Sequence, residues 1–149
     1  MENKVFFEND TAVIYYDTEL DTLFLTYKKN VIGLKNVVLI CDNILAAFKQ
    51  LNTQRMVVDA RNMGVIGLDS QKHIKDNLIP AMVAHLKGKI FYHAQLLSPS
   101  EVFSTVAANK IKEGSEQKVG DFMIMRQFTD EEALLNWLKD SANDVRSAS

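Results

Sequence analysis

With a single cysteine, Cys41, in 149 residues, the chain cannot close an internal disulfide, which excludes the stapled framework of a small secreted domain. Two prolines and six glycines are too few for a proline-rich linker, a collagen-like repeat or a low-complexity arm. No run of about 18 apolar residues occurs, so no membrane-spanning helix is expected. The opening Met1 to Asp10 (MENKVFFEND) lacks the basic stretch followed by an apolar run that marks a signal peptide. Charge of one sign is missing too: 17 Lys and Arg face 19 Asp and Glu, for a formal net charge of -2, and the basic residues are scattered. Nucleic acid, which demands a clustered positive surface, is therefore not an expected partner. The cytoplasm is the expected compartment.

What is present suits an ordinary globular domain, with 47% hydrophobic and 24% charged residues. A chain of this length can bury roughly 70% of the surface its unfolded form exposes, enough for one sizeable core. Three short runs rich in β-branched and aromatic residues come first: Lys4 to Glu8, Thr11 to Asp17 and Thr22 to Lys28. Asn9-Asp10 and Thr18 to Asp21 between them are turn chemistry, because short polar side chains bond the local backbone. An antiparallel meander is the expectation.

Val37, Ile40, Cys41, Ile44, Phe48 and Leu51 then recur at three- and four-residue spacing, which predicts a helix over Leu34 to Leu51 with one apolar stripe. Arg55 to Ala60 (RMVVDA) reads as a strand at the centre of the sheet. After the loop Asn62 to Leu68, a second amphipathic pattern of Ile74, Leu78, Met82 and Leu86 predicts a helix capped by Asp69 or Ser70, which Pro80 either bends or splits into two short helices. Lys89 to Leu96 is the next strand. Ser98-Pro99-Ser100-Glu101 starts a third helix that should stop near Gly114. Asp121 to Phe128 is the last strand, and Thr129-Asp130-Glu131-Glu132 opens a closing helix. The order is βββ-α-β-α-β-α-β-α, an α/β fold with a mixed β-sheet. Residues 1–140 form a single domain in this reading, and 141–149 a frayed tail.

No catalytic constellation emerges. There is no phosphate-binding or dinucleotide fingerprint. His73 and His85 stand about 18 Å apart along one helix, at 1.5 Å per residue, too far to share a metal, and His93 has no nearby cysteine or acid in sequence. Neither a metal nor a cofactor is expected. Cys41, on the apolar stripe, reads as a small core residue. Asp59 and Arg61 stand at the carboxyl end of the presumed central strand, the edge where open α/β sheets place ligands; pairing with loop backbone is the other reading. Ser70, at a helix start, is either a cap or a phosphorylation site beside the helix's partial positive charge. Phe6, Phe7, Tyr15, Tyr16 and the Met-rich Phe122 to Met125 fill the core or line an apolar pocket.

The strand VVDAR (57–61), the helix containing NLIPAM (77–82) and the closing F-T-D-E-E-A-L-L-N-W-L (128–138) make the chain resemble the SpoIIAA-like branch of the STAS superfamily over nearly its whole length. That resemblance implies a mixed sheet with helices mainly on one face. It also implies a non-enzymatic regulatory module that binds a protein partner. Anti-sigma-factor antagonists of the superfamily are switched by phosphorylation of a serine in a D-S-S-G-L-G-like segment; Asp69-Ser70 matches its start, and Gln71-Lys72-His73 replaces the rest. The branch is also similar in shape to lipid-carrying CRAL-TRIO domains, which makes a carrier of a lipid or other small apolar ligand the alternative. A sheet face without helical cover would favour self-association as a homodimer.

Overall fold

The computed structural model describes residues 3–98 and 122–148. Strands β1 (Asn3–Glu8), β2 (Ala12–Asp17) and β3 (Thr22–Tyr27) form the antiparallel meander. The first turn is built by the asparagine that suggested it, and the second by the aspartate that ends β2, just ahead of the expected Thr18 to Asp21. The Asn9 side-chain oxygen accepts the backbone N–H groups of Thr11 and Ala12, both at 2.9 Å, and Asp17 accepts that of Leu20 at 3.0 Å. Strands β4 (Arg55–Asp59), β5 (Phe91–Leu96) and β6 (Met123–Phe128) then add in parallel to β3, giving one six-stranded mixed sheet in the order β1-β2-β3-β4-β5-β6. The protein is thus an α/β domain.

Helix α1 (Leu34–Lys49) carries β3 back to β4 and buries Val37, Ile40, Cys41, Ile44, Ala47 and Phe48 against the sheet. A buried Ile or Phe of this kind contributes roughly 1.5–3 kcal/mol through area removed from water. The next connection is one continuous helical rod with an irregular middle: α2 (Leu68–His73), a π-helical turn (Ile74–Leu78) and α3 (Ile79–His85). Pro80 was expected to bend or split this helix. The irregularity instead falls one turn earlier, where the Ile79 N–H bonds the Ile74 carbonyl five residues back. A proline ring clashes with the carbonyl four residues before it, and the wider π turn relieves that crowding.

The start of α2 also departs from expectation. Gly67, not Asp69 or Ser70, occupies the cap position, in extended conformation; Asp69 lies inside the first turn, its carboxylate accepting the Ser70 N–H at 2.7 Å, and Ser70 is buried there. Glycine is tolerated at such a position, which moves the helix start ahead of the polar pair. The closing helix α4 (Glu131–Ala148) is capped by Asp130, whose carboxylate accepts the N–H groups of Glu132 and Ala133, each at 3.3 Å. It continues past Lys139, over most of the segment expected as a tail. The predicted third helix from Ser98 lies outside the described residues, apart from Ser98 itself.

Strand alternation divides the core between the two sheet faces. Ile14, Leu23, Leu25, Met56, Phe91 and Met125 point toward α1, α2 and α3, and Phe48 meets Phe91 edge-on at 5.5 Å. Phe24, Val57, Ala94 and Leu96 point the other way, toward Leu134 and Leu138 of α4. Arg55 is buried on that second side, its guanidinium donating to the carbonyls of Asp21 and Leu138 and so tying α4 to the β2–β3 turn.

Candidate functional site

Asp59 and Arg61 come together at the carboxyl end of β4. The Arg61 guanidinium grips the Asp59 carboxylate through two bonds, Nε to Oδ1 at 2.9 Å and Nη2 to Oδ2 at 2.7 Å, and the Arg61 backbone N–H adds a third at 3.2 Å. Glu131, at the start of α4, stands 3.9 Å from the same guanidinium. The pair therefore satisfies itself and anchors the turn after β4. Ser70, 2% exposed, is sheltered beneath the start of α2, so a kinase would reach its hydroxyl only after that turn opened.

Around this edge the loops present apolar side chains to solvent. Ile32 is 76% exposed, Val65 63% and Leu68 71%. Ile32 and Val65 lie on two loops held side by side, since the Val31 N–H bonds the Met63 carbonyl at 3.1 Å, and Leu68 opens α2 just after the second. Gly64 permits that approach: its φ is +75°, and a β-carbon there would lie 2.7 Å from the Asn30 side chain.

Beneath these loops, between the sheet and the first layer of helices, lies a cavity. Its volume is about 40 Å³, well above the roughly 10–15 Å³ that one water needs. Its walls are mainly apolar: Leu25, Met56 and Val58 from the strands, Ile44 from α1, Met63 from the loop, and Ile74, Leu78 and Ile79 from the π turn and α3. Four polar or polarisable groups interrupt them, Tyr27, Cys41, His93 and Gln95.

His93 and Gln95 lie two apart on β5, on the cavity side of a strand that is buried along its whole length. The imidazole stacks on Phe91 with centroids 5.5 Å apart and planes 11° from parallel. Both ring nitrogens are buried, and neither has a protein hydrogen-bond partner; they are the only such side-chain atoms among the described residues. Burial pushes the ring down to a pKa of about 4, so it is neutral at pH 7. Gln95 is fixed by the Gln127 amide, which donates to its oxygen at 3.0 Å. Burial, with the Asp42 charge adding to it, pushes the Cys41 thiol up to about 12, which leaves it protonated and a poor nucleophile.

Of the two roles open to the strand aromatics and the Met-rich segment, core or pocket lining, they take the first. Met123 and Met125 are core, Phe6, Phe7 and Tyr16 pack around the edge of that core, and Tyr15 stacks on Phe24 across the sheet at 5.1 Å. None of them lines the cavity. His93 has no cysteine or acid near it in sequence; the signal it carries is a His-x-Gln pair on one face of an otherwise apolar strand. His73 instead contacts Asn77 at 3.2 Å on the rod's surface, and His85 meets the edge of Phe48.

No family model matches the chain, and neither the curated proteins nor the solved structures contain a significant match to it.

Proposed function

We propose that the protein is a non-enzymatic binding module whose interior takes a small, largely apolar ligand. One observation carries this reading: His93, a buried imidazole without a protein partner, stands in the wall of an apolar cavity. Leaving such a group unsatisfied costs roughly 1–3 kcal/mol, so a protein that keeps one beside a cavity gains by placing a partner there. An apolar pocket with a few convergent polar groups is the usual form of a small-molecule site. Acid-base catalysis is not favoured, because Asp59 and Arg61 are spent on each other and lie across the sheet from His93. Native mass spectrometry of gently purified protein tests the reading. Extra mass that is lost on denaturation is expected, and it should be absent from an Ala60→Leu variant, since Ala60 also lines the cavity and a leucine there would fill it. Protein that retains no mass and whose His93 signals are unmoved by any added small apolar compound would end the proposal.

A second reading, that the domain is a cytoplasmic STAS-type regulator of the SpoIIAA-like branch and recognises a protein partner, is favoured by Ile32, Val65 and Leu68. Exposed apolar side chains grouped at a strand-end edge suit protein recognition. The meander that leads into parallel strands, with a helix directly after the β4 loop, is in keeping with that type. Under this reading, saturable capture of a partner should weaken at least about tenfold with Val65→Asp, a cost of the size seen when an interface hot spot is lost. Unchanged capture would argue against it.

A further inference from the structure

Resting on the reading of this cavity as a ligand site, we propose that its occupant is an uncharged molecule with an apolar body and one hydroxyl, an alcohol or a phenol, held by a hydrogen bond to the His93 ring. Each part of that description follows from the walls. The body is apolar because Ile44, Met56, Ile74 and Leu78 surround it, and such walls reward the removal of apolar surface from water. The molecule is uncharged because no Asp, Glu, Lys or Arg lines the cavity among the described residues. An ion there would lose its hydration without gaining a counter-charge, a cost that a single hydrogen bond does not return.

The hydroxyl follows from the imidazole. A neutral ring offers one N–H donor and one bare nitrogen acceptor, and no protein group meets either. A hydroxyl both donates and accepts, so it serves whichever nitrogen faces the cavity, whereas an ether or ketone serves only the N–H. The Phe91 stack holds the ring plane in place, and the bond to Gln127 holds the neighbouring Gln95. The hydrogen-bond direction is therefore set before the ligand arrives, which lowers the cost of binding.

Matched pairs decide the matter with the full chain: phenol against toluene, cyclopentanol against methylcyclopentane, and benzoate as the charged probe. Dissociation constants come from calorimetry, and the ¹⁵N signals of the His93 ring report the place of binding. Each hydroxyl compound is expected to bind at least about tenfold more tightly than its hydrocarbon and to move the His93 signals, with benzoate weaker than phenol. In His93→Leu the preference for the hydroxyl should disappear while hydrocarbon binding persists; if that variant fails to fold, the wild-type pairs still decide. Equal affinities within each pair would overturn the hydroxyl assignment and leave the cavity's role standing, and tighter binding of benzoate would overturn the uncharged assignment alone. Failure of all the compounds to bind, with the His93 signals unmoved, would overturn the ligand-site reading and this inference together.

Discussion

At position 93 the sheet holds an imidazole in surroundings that a leucine would suit better for stability alone. The ring is sealed from solvent, stacked on Phe91, and bonded to no protein group. His93→Leu is therefore expected to raise the free energy of unfolding by about 1–2 kcal/mol at pH 7, read from urea denaturation with an unchanged slope. A loss of stability would mean that the ring makes a bond worth more than its burial costs. Arg61 presents the opposite case. Its bond to Asp59 has good geometry, but the arginine side chain is 43% exposed, and solvent screens a pair of that kind. Arg61→Ala should cost less than about 1 kcal/mol in thermal or chemical unfolding. A markedly larger loss would show that the Asp59–Arg61–Glu131 group holds α4 on the sheet.

Among the elements, the rod from Leu68 to His85 joins the two features of interest. Its first residue, Leu68, is part of the exposed apolar edge, and its π turn brings Ile74 and Leu78 to the cavity wall. The turn is widened where Pro80 follows, because a regular helix would press the proline ring against the preceding turn. π turns concentrate at functional sites since they re-aim side chains that a regular helix would direct elsewhere. Helix α4 depends on its start in a simpler way. Asp130 satisfies two of the N–H groups that helix geometry leaves without partners. Asp130→Ala should destabilise the protein by about 1 kcal/mol. Asp130→Ser, which keeps a capping oxygen, should restore most of that loss in the same denaturation assay.

Across the whole molecule, the buried histidine makes stability depend on pH. The ring titrates at about 4 in the fold against 6.5 when free, so the unfolded chain takes up a proton first as pH falls. Stability is held above pH 6.5 and declines between 6.5 and 4 by up to about 3 kcal/mol. Below that window this group adds no further change. Denaturation curves measured across the window should show the decline in the wild type, with a smaller decline in His93→Leu. Parallel curves for the two proteins would mean that His93 is not the group responsible.

Much of this architecture is legible in the residues themselves. The turn at Asn9, the stripe from Val37 to Phe48 and the cap before Glu131 rest on periods and side-chain bonds that reach only a few residues, so the meander, α1 and the start of α4 could be read locally. The candidate site could not be read so. Asp59 and Arg61 were legible as a pair at a strand end, but only the path of the chain after β4 turns them onto each other and brings Glu131 beside them. Ser70 looked like a cap until the turn before it placed Gly67 there and folded the hydroxyl inward. His93 is the plainest case, because whether a buried nitrogen finds a partner is the sum of every group that α1, the β4 loop, the π turn and two neighbouring strands bring within about 3 Å. Sequence determined the meander, α1, the start of α4 and which of their faces are apolar, since those depend on local spacing. Tertiary structure alone decided where the cavity lies and that an unpartnered imidazole lines it, since packing and hydrogen-bond satisfaction are settled between segments far apart in the chain.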